Sequence, residues 1–497
     1  MSESALFRHG VASGDPLTDR VVIWTRCEEE AEPTWVVARD QALRDVVATG
    51  HAAAHTENDL TVKVDVSGLE PDRTYYYFFE VDGRTSVVGR TRTLPERCDQ
   101  MRFAIYSCAK YSAGFFNAHA RMAERDDIAF VLCLGDYIYE YGNEEKGLGA
   151  KIGRAFEPGN ECRTLEDYRT RYSQYRRDPK LQRLHQSHPF INIVDDHEFC
   201  NDTWRDGAGK HDDEQDGPWA ERKAAAFRAW REWIPIRLPD PEDPTRIFRT
   251  FRLGGLADLI LLDSRTRRDE QTKDPEVLEH ADRTLLGKEQ FDWFVGECRR
   301  SRATWRIIGN AVMIGQVRSD FMPEDLGNPL SELGVLTQRE HGPEPDQWDG
   351  YPVERRRLLE CIKQNAKANI LFLSGDCHSS WAMDLKLDPH DPEDESIGGE
   401  FCTTSLTSEN LDDDAGWHPR SKSVEIEKEI IIKNPHIHWA ETDSHGYVVV
   451  DVEPQRVQGD WWFVDEIHCS HEGEHHGESW VVRADEDRVR KGAGPVS

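Results

Sequence analysis

The sequence predicts an α/β domain with an all-β module at its N-terminus, and three observations carry that reading. Residues 7–94 hold only strand-length runs separated by turns. From residue 101 onward, apolar runs of strand length alternate with helical patterns, as layered α/β domains do. Several of those runs stop at a thiol, a carboxylate or an imidazole. The polar segment Pro95-Glu96-Arg97-Cys98-Asp99 marks the junction, giving a module over 1–97 and a domain over 98–497.

In the module, Arg20-Val21-Val22-Ile23-Trp24-Thr25-Arg26 alternates in part and Leu60-Thr61-Val62-Lys63-Val64-Asp65-Val66 alternates cleanly. Thr74-Tyr75-Tyr76-Tyr77-Phe78-Phe79-Glu80-Val81 then runs into an Asp82-Gly83 turn. Leu69-Glu70-Pro71-Asp72-Arg73-Thr74-Tyr75 resembles the tyrosine corner of immunoglobulin- and fibronectin-like sandwiches, in which the phenol ties back to upstream backbone. Such a module is expected to pack and support.

In the domain, strands are expected at 102–108, 130–134, 189–194, 248–253 paired with 256–263, 304–314, 369–375, 446–452 and 461–464. Helices are expected at 116–125, 165–184, 219–233, 286–297 and 353–365. In the third of these, Ala226, Phe227, Trp230 and Trp233 share one face, a packing stripe. Residues 318–351 mix proline, glycine and acid without a period and read as a long loop or lid.

Composition narrows the partners. With 93 acidic against 62 basic residues the formal charge is -31, which argues against a polyanion such as nucleic acid as the main partner. The 11 cysteines form no CxxC pair, and most are expected to be free thiols. Met1-Ser2-Glu3-Ser4-Ala5 has neither a charged n-region nor an apolar h-region, and no run approaches the roughly 18 residues of a membrane span. The expectation is a cytoplasmic protein as written, or a periplasmic or secreted one if an export signal has been removed.

Four strand ends carry the chemistry: Cys108; Asp136 with Tyr139; Asp195 and Asp196 with His197 and Asn201; and Asp376 with His378. Rigid strand ends gather reacting groups while loops leave the site open. Thiolate, phenolate and imidazole together suit a trivalent or borderline transition metal, whereas Asp196 and Asn201 offer oxygens for Ca²⁺, Mg²⁺ or Mn²⁺. Asp136, first after its strand, is the candidate bridge between two ions. Paired metals activate water and neutralise phosphoryl oxygens, so the chemistry favoured is phosphoester hydrolysis.

Gly135-Asp136-Tyr137-Ile138-Tyr139-Glu140, Asp195-Asp196-His197-Glu198 and Gly375-Asp376-Cys377-His378-Ser379-Ser380-Trp381 resemble the blocks of the alkaline phosphatase D (PhoD-like) branch of the calcineurin-like metallophosphoesterases. Ser107-Cys108 matches the first block, and Gly10-Val11-Ala12-Ser13-Gly14-Asp15-Pro16, Asp263-Ser264-Arg265, Trp348-Asp349-Gly350-Tyr351 and His445-Gly446-Tyr447 extend the likeness over nearly the whole chain. The resemblance implies a four-layer α/β/β/α core. It implies Fe³⁺ held by Cys108, Asp136, Tyr139 and His378, and Ca²⁺ at Asp136, Asp196, Asn201 and Asp376, with Mn²⁺, Mg²⁺ or Zn²⁺ as alternatives for the second metal. It places His197, Asp195 and Arg265 in the catalytic set, His197 at the leaving oxygen and Arg265 on a phosphate oxygen.

The activity implied is alkaline phosphatase D-like hydrolysis of phosphomonoesters or phosphodiesters by a metal-bound hydroxide. A phospholipase D-type phosphodiesterase acting on phospholipid headgroups is the alternative within the family. A non-catalytic calcium-binding or adhesion protein is the rival from another class, and Cys108, Tyr139 and His378 argue against it because a calcium module has no use for thiolate or phenolate. The sequence departs from the family in lacking a twin-arginine export signal and in reading Ala109-Lys110-Tyr111 after Cys108, where a glutamine is common.

Overall fold

Strands that are apolar on both faces need a partner on each, and here two such sheets stack on one another. The computed structural model describes residues 5–143, 148–318, 345–365, 369–389, 391 and 393–496, and holds a ten-stranded and a seven-stranded sheet. Parallel strands Met101–Tyr106, Val131–Cys133 and Pro189–Asn192 form the centre of the first, and Ala257–Leu261, Trp305–Gly309 and Ile370–Ser374 that of the second. Phe103, Ile105, Leu132 and Leu134 meet Leu259, Leu261, Ile307, Leu371 and Leu373 in one shared core.

The alternate residues face outward, under helices. Ala104, Tyr106, Val131 and Cys133 pack beneath Asn117–Ala123, Leu165–Arg176, Pro179–Ser187 and Trp219–Trp233. Ile260, Ile308, Ile370 and Phe372 pack beneath Gly287–Arg300 and Pro352–Asn365. Helix, sheet, sheet, helix is the expected four-layer arrangement. The single helix expected at 165–184 is two, because Pro179 starts a new one and the Asp178 carboxylate caps it by accepting from the backbone N–H groups of Lys180 and Leu181.

The N-terminal segment is β-rich, as expected, yet it does not stand apart. Val11–Gly14, Arg20–Arg26 and Thr61–Ser67 extend the ten-stranded sheet, with Ser13 and Gly14 in parallel register with Pro189 and Phe190. A five-stranded sheet built on Thr34–Ala38 and Thr74–Val81 covers them, and Val21, Ile23, Val37, Val62, Tyr77 and Phe79 fill the space between. The tyrosine corner is present: the Tyr75 hydroxyl accepts from the Glu70 backbone N–H at 2.8 Å.

Several strands have no clear sequence signal. Ser380–Leu385, Gly398–Cys402 and Ile437–Glu441 complete the seven-stranded sheet, and Glu474–Arg483 with Val489–Lys491 end the ten-stranded one. The histidine-rich stretch around 468–476, which reads as a mobile loop, is in part a strand: His475 and His476 pair with Phe463 and Trp462. Its Glu and Gly residues lie on a half-exposed face, which hides the alternation. His436, in the segment Asn434-Pro435-His436 that precedes the strand Ile437–Glu441, is buried and bonded to the Gln316 carbonyl at 2.8 Å. Of the lid expected at 318–351, residues 319–344 lie outside those described; Trp348–Gly350 forms a 3-10 turn. All 11 cysteines are free, and among the described residues no helix is long and apolar enough to cross a membrane.

Candidate metal centre

The carboxyl ends of both sheets converge on one site, and the backbone there is unusual. Cys108, Asp136, Asp376 and His378 all adopt left-handed conformations, with φ of 58°, 54°, 65° and 46°. Each costs of order 1–3 kcal/mol for a residue with a side chain, so the surrounding fold must hold it. Two glycines allow the approach. A Cβ on Gly135 would stand 2.4 Å from the Asp195 Cβ, and one on Gly375 would stand 2.5 Å from the Ser107 Oγ.

The donors gather in two overlapping groups. Donor atoms of Cys108, Asp136 and His378 lie within 4.8 Å of one another, as do those of Asp136, Asp195, Asp196 and Asp376. Asp136 belongs to both. The Tyr139 hydroxyl donates to Asp136 Oδ2 at 2.9 Å, stands 3.3 Å from His378 Nε2 and accepts from Ser408 at 2.6 Å. His378 Nδ1 donates to the Glu409 carbonyl at 2.8 Å, so its Nε2 carries the lone pair facing the cluster.

Sequence reasoning missed the groups that hold these ligands. The Glu198 carboxylate accepts from the backbone N–H groups of Asp136, Tyr137 and Asp195 at 3.1, 2.6 and 2.6 Å, tying two ligand turns together. Asp202, also left-handed, joins Asp346 and Asp196 in a third acidic group, and its N–H donates to Asp196 Oδ2 at 2.6 Å. The motif spells out Glu198 beside the ligands; nothing in the sequence marks Asp346.

The charge balance fits metal. Burial raises Asp136 to about 7, helped by the charges of Asp196 and Asp376, and drives Asp195 and Asp376 up as well. Among the described residues, Asp195 Oδ2 and Asp196 Oδ1 are buried without a hydrogen-bond partner. Burial lowers His378 to about 4, which leaves a neutral imidazole ready to ligate, while burial and then Asp136 push the Cys108 thiol and the Tyr139 phenol up. So many buried acids are compensated by cations, and a cation draws the protons from thiol and phenol.

A family model described as PhoD-like phosphatase matches residues 103–461, and one described as the PhoD-like phosphatase N-terminal domain matches residues 1–95. The chain belongs to the PhoD-like phosphatase family. Alkaline phosphatase D of Bacillus subtilis (strain 168) is 34% identical to it over 478 residues, covering 92% of this chain and 77% of that protein. A solved structure of PhoD aligns with it at a TM-score of 0.86 and 31% identity, covering 100% of this chain and 94% of that chain. The protein is therefore a metal-dependent phosphoester hydrolase.

Within this PhoD-like site three expected residues need closer placement. Arg265, expected on a phosphate oxygen, is fully buried, and its guanidinium is occupied by protein carboxylates. It bonds Asp195, Asp346 Oδ2 at 2.7 Å and Asp376 Oδ1 at 2.8 Å. A cation so enclosed serves here as an internal counter-ion to those carboxylates. Asn201 Oδ1 accepts from the Tyr141 hydroxyl at 2.7 Å, while its N–H donates to Glu140. His197 lies against the cluster, its Nε2 4.0 Å from Asp196 Oδ1.

Glu140 orients that ring. Its Oε2 accepts from His197 Nδ1 at 2.8 Å, so Nε2 is the nitrogen that faces the cluster. Burial opposes ionisation of Glu140, but the charge and hydrogen bond of His197, together with the Arg222 charge and the Asn201 N–H, outweigh it and hold the carboxyl down at about 2. The stabilisation from this shift is full above the ordinary carboxylate range and is lost as pH falls through about 2. Glu140→Gln is expected to lower kcat about 10–100-fold, the usual cost of losing an orienting partner. Metal content measured beside the kinetics checks it: a parallel loss of metal would move Glu140 from the histidine to the metals.

Proposed function

We propose that this PhoD-like phosphatase holds ferric iron at Cys108, Asp136, Tyr139 and His378, and calcium beside it at Asp136, Asp196 and Asp376 with Asn201 at the edge. The observation that supports the assignment most directly is the asymmetry of the donor set: a thiol, a phenol and an imidazole crowd one side of Asp136, and the carboxylates of Asp195, Asp196 and Asp376, with His197 against them, crowd the other. The substrate is a small phosphomonoester or phosphodiester. When bound, the metals supply activation of a water and charge neutralisation at the phosphoryl oxygens.

The chain's own residues do the rest. Glu198 and the two glycines hold the strand ends in contact, Arg265 balances the carboxylates, and Glu140 leaves His197 Nε2 to protonate the departing oxygen. Cys108→Ser is the test of the iron position. Iron content is expected to fall and the visible absorption to change while calcium is retained, read by elemental analysis and spectroscopy. Unchanged iron and an unchanged spectrum would remove Cys108 from the ligand set. Matched monoester and diester substrates, a phospholipid among them, then decide the ester class.

A further inference from the structure

The turn that brings Asp376 and His378 to the site is built over a pair of thiols. It leaves the strand Ile370–Ser374 and enters Ser380–Leu385, and between those two strands lies Gly398–Cys402. The turn therefore arches across the end of that middle strand. Cys402 closes the strand, in register with Ser374 on one side and Trp381 on the other. Cys377 sits in the middle of the arch, between the two ligands.

The two sulfurs touch. Cys377 Sγ and Cys402 Sγ are 3.1 Å apart, and both side chains are 0% exposed. They share an apolar pocket with Met313, Trp381 and Met383. The Gly375 carbonyl also binds both sides of the pair, at 2.8 Å from the Cys377 backbone N–H and 3.4 Å from Cys402 Sγ. A disulfide places sulfurs at about 2.05 Å, so roughly 1 Å of approach closes the bond, within the reach of side-chain torsions.

We propose that Cys377 and Cys402 form a disulfide on oxidation, and that this bond pins the ligand-bearing arch to the strand beneath it. Its effect on metal rests on the reading that Asp376 and His378 are ligands; the bond itself does not. The oxidant is hydrogen peroxide, small enough to reach thiols sealed from solvent. One thiol takes an oxygen from it, breaking the O–O bond to give a sulfenic acid and a water. The second thiol then displaces that oxygen: the S–S bond forms, the S–O bond breaks, and a second water leaves with the second thiol's proton. Two electrons pass from the thiols to the peroxide.

The test treats native, metal-loaded protein with hydrogen peroxide, quenches it, and maps the cysteine peptides by mass. A linked Cys377–Cys402 peptide lighter by two hydrogens is expected. Chelator-driven metal release from the oxidised protein is expected to slow on the order of tenfold, because the arch can no longer open locally. Cys377→Val, close in volume, is expected to abolish both the link and the protection. Recovery of both thiols unlinked overturns the proposal, and so does a link with no slower release. Metal content of the reduced protein is measured first, so failure of the metal reading shows there, independently of the cross-link.

Discussion

Asp136→Asn is expected to strip the proposed iron and calcium together and to lower kcat/KM by about 10³-fold, since losing paired metals forfeits several kcal/mol of transition-state stabilisation at about 1.4 kcal/mol per factor of ten. The reason is its position: Asp136 is the one residue shared by the thiol-imidazole group and the four-carboxylate group. Asn keeps the side-chain shape and tolerates the left-handed backbone that Asp136 adopts at φ 54°, so the fold is expected to survive. It removes a negative charge that burial already makes costly. Elemental analysis and steady-state kinetics on the same preparation check the result. Retained metal stoichiometry with full turnover would sink the bridging role.

Arg265→Met is expected to cost about 3–5 kcal/mol of stability in metal-depleted protein, the range for removing one partner from a buried ion pair. Asp195, Asp346 and Asp376 would be left facing one another without their shared cation. Added metal is expected to restore part of the loss, because it supplies the positive charge that the guanidinium gave. Arg265→Lys is the companion variant; it keeps the charge but cannot form the same forked contacts, so an intermediate loss is expected. Denaturation curves with and without metal read both effects. A methionine variant as stable as the parent would show that the three acids need no cation beyond Arg268, which still bonds Asp346 Oδ1 at 2.6 Å.

Much of the site was legible because its ligands follow strands. An apolar run that stops at Gly135-Asp136 or Gly375-Asp376 announces both the strand and the group at its end, and the structure brings those ends together. The supporting groups were not legible. Arg265 looks in sequence like a phosphate hook, since the acids that enclose it lie 70, 81 and 111 positions away. The late strands escaped for a different reason. Glu474–Arg483 turns His475 toward solvent, so its pattern is polar on polar until Trp480. Val11–Gly14 is four residues long and carries Ser and Gly, too little text to show that it pairs across the chain with Pro189–Asn192.

That last pairing bears on where the chain can be cut. Two family models divide the chain near residue 95, which invites trimming at that point. Trimming there would pull Val11–Gly14 away from Pro189–Asn192 and lay bare the flank of the strand that delivers Asp195 and Asp196. A naked flank recruits foreign chains, so the shortened protein would clump before its chemistry could be judged. The two halves are separate words that share a single spine.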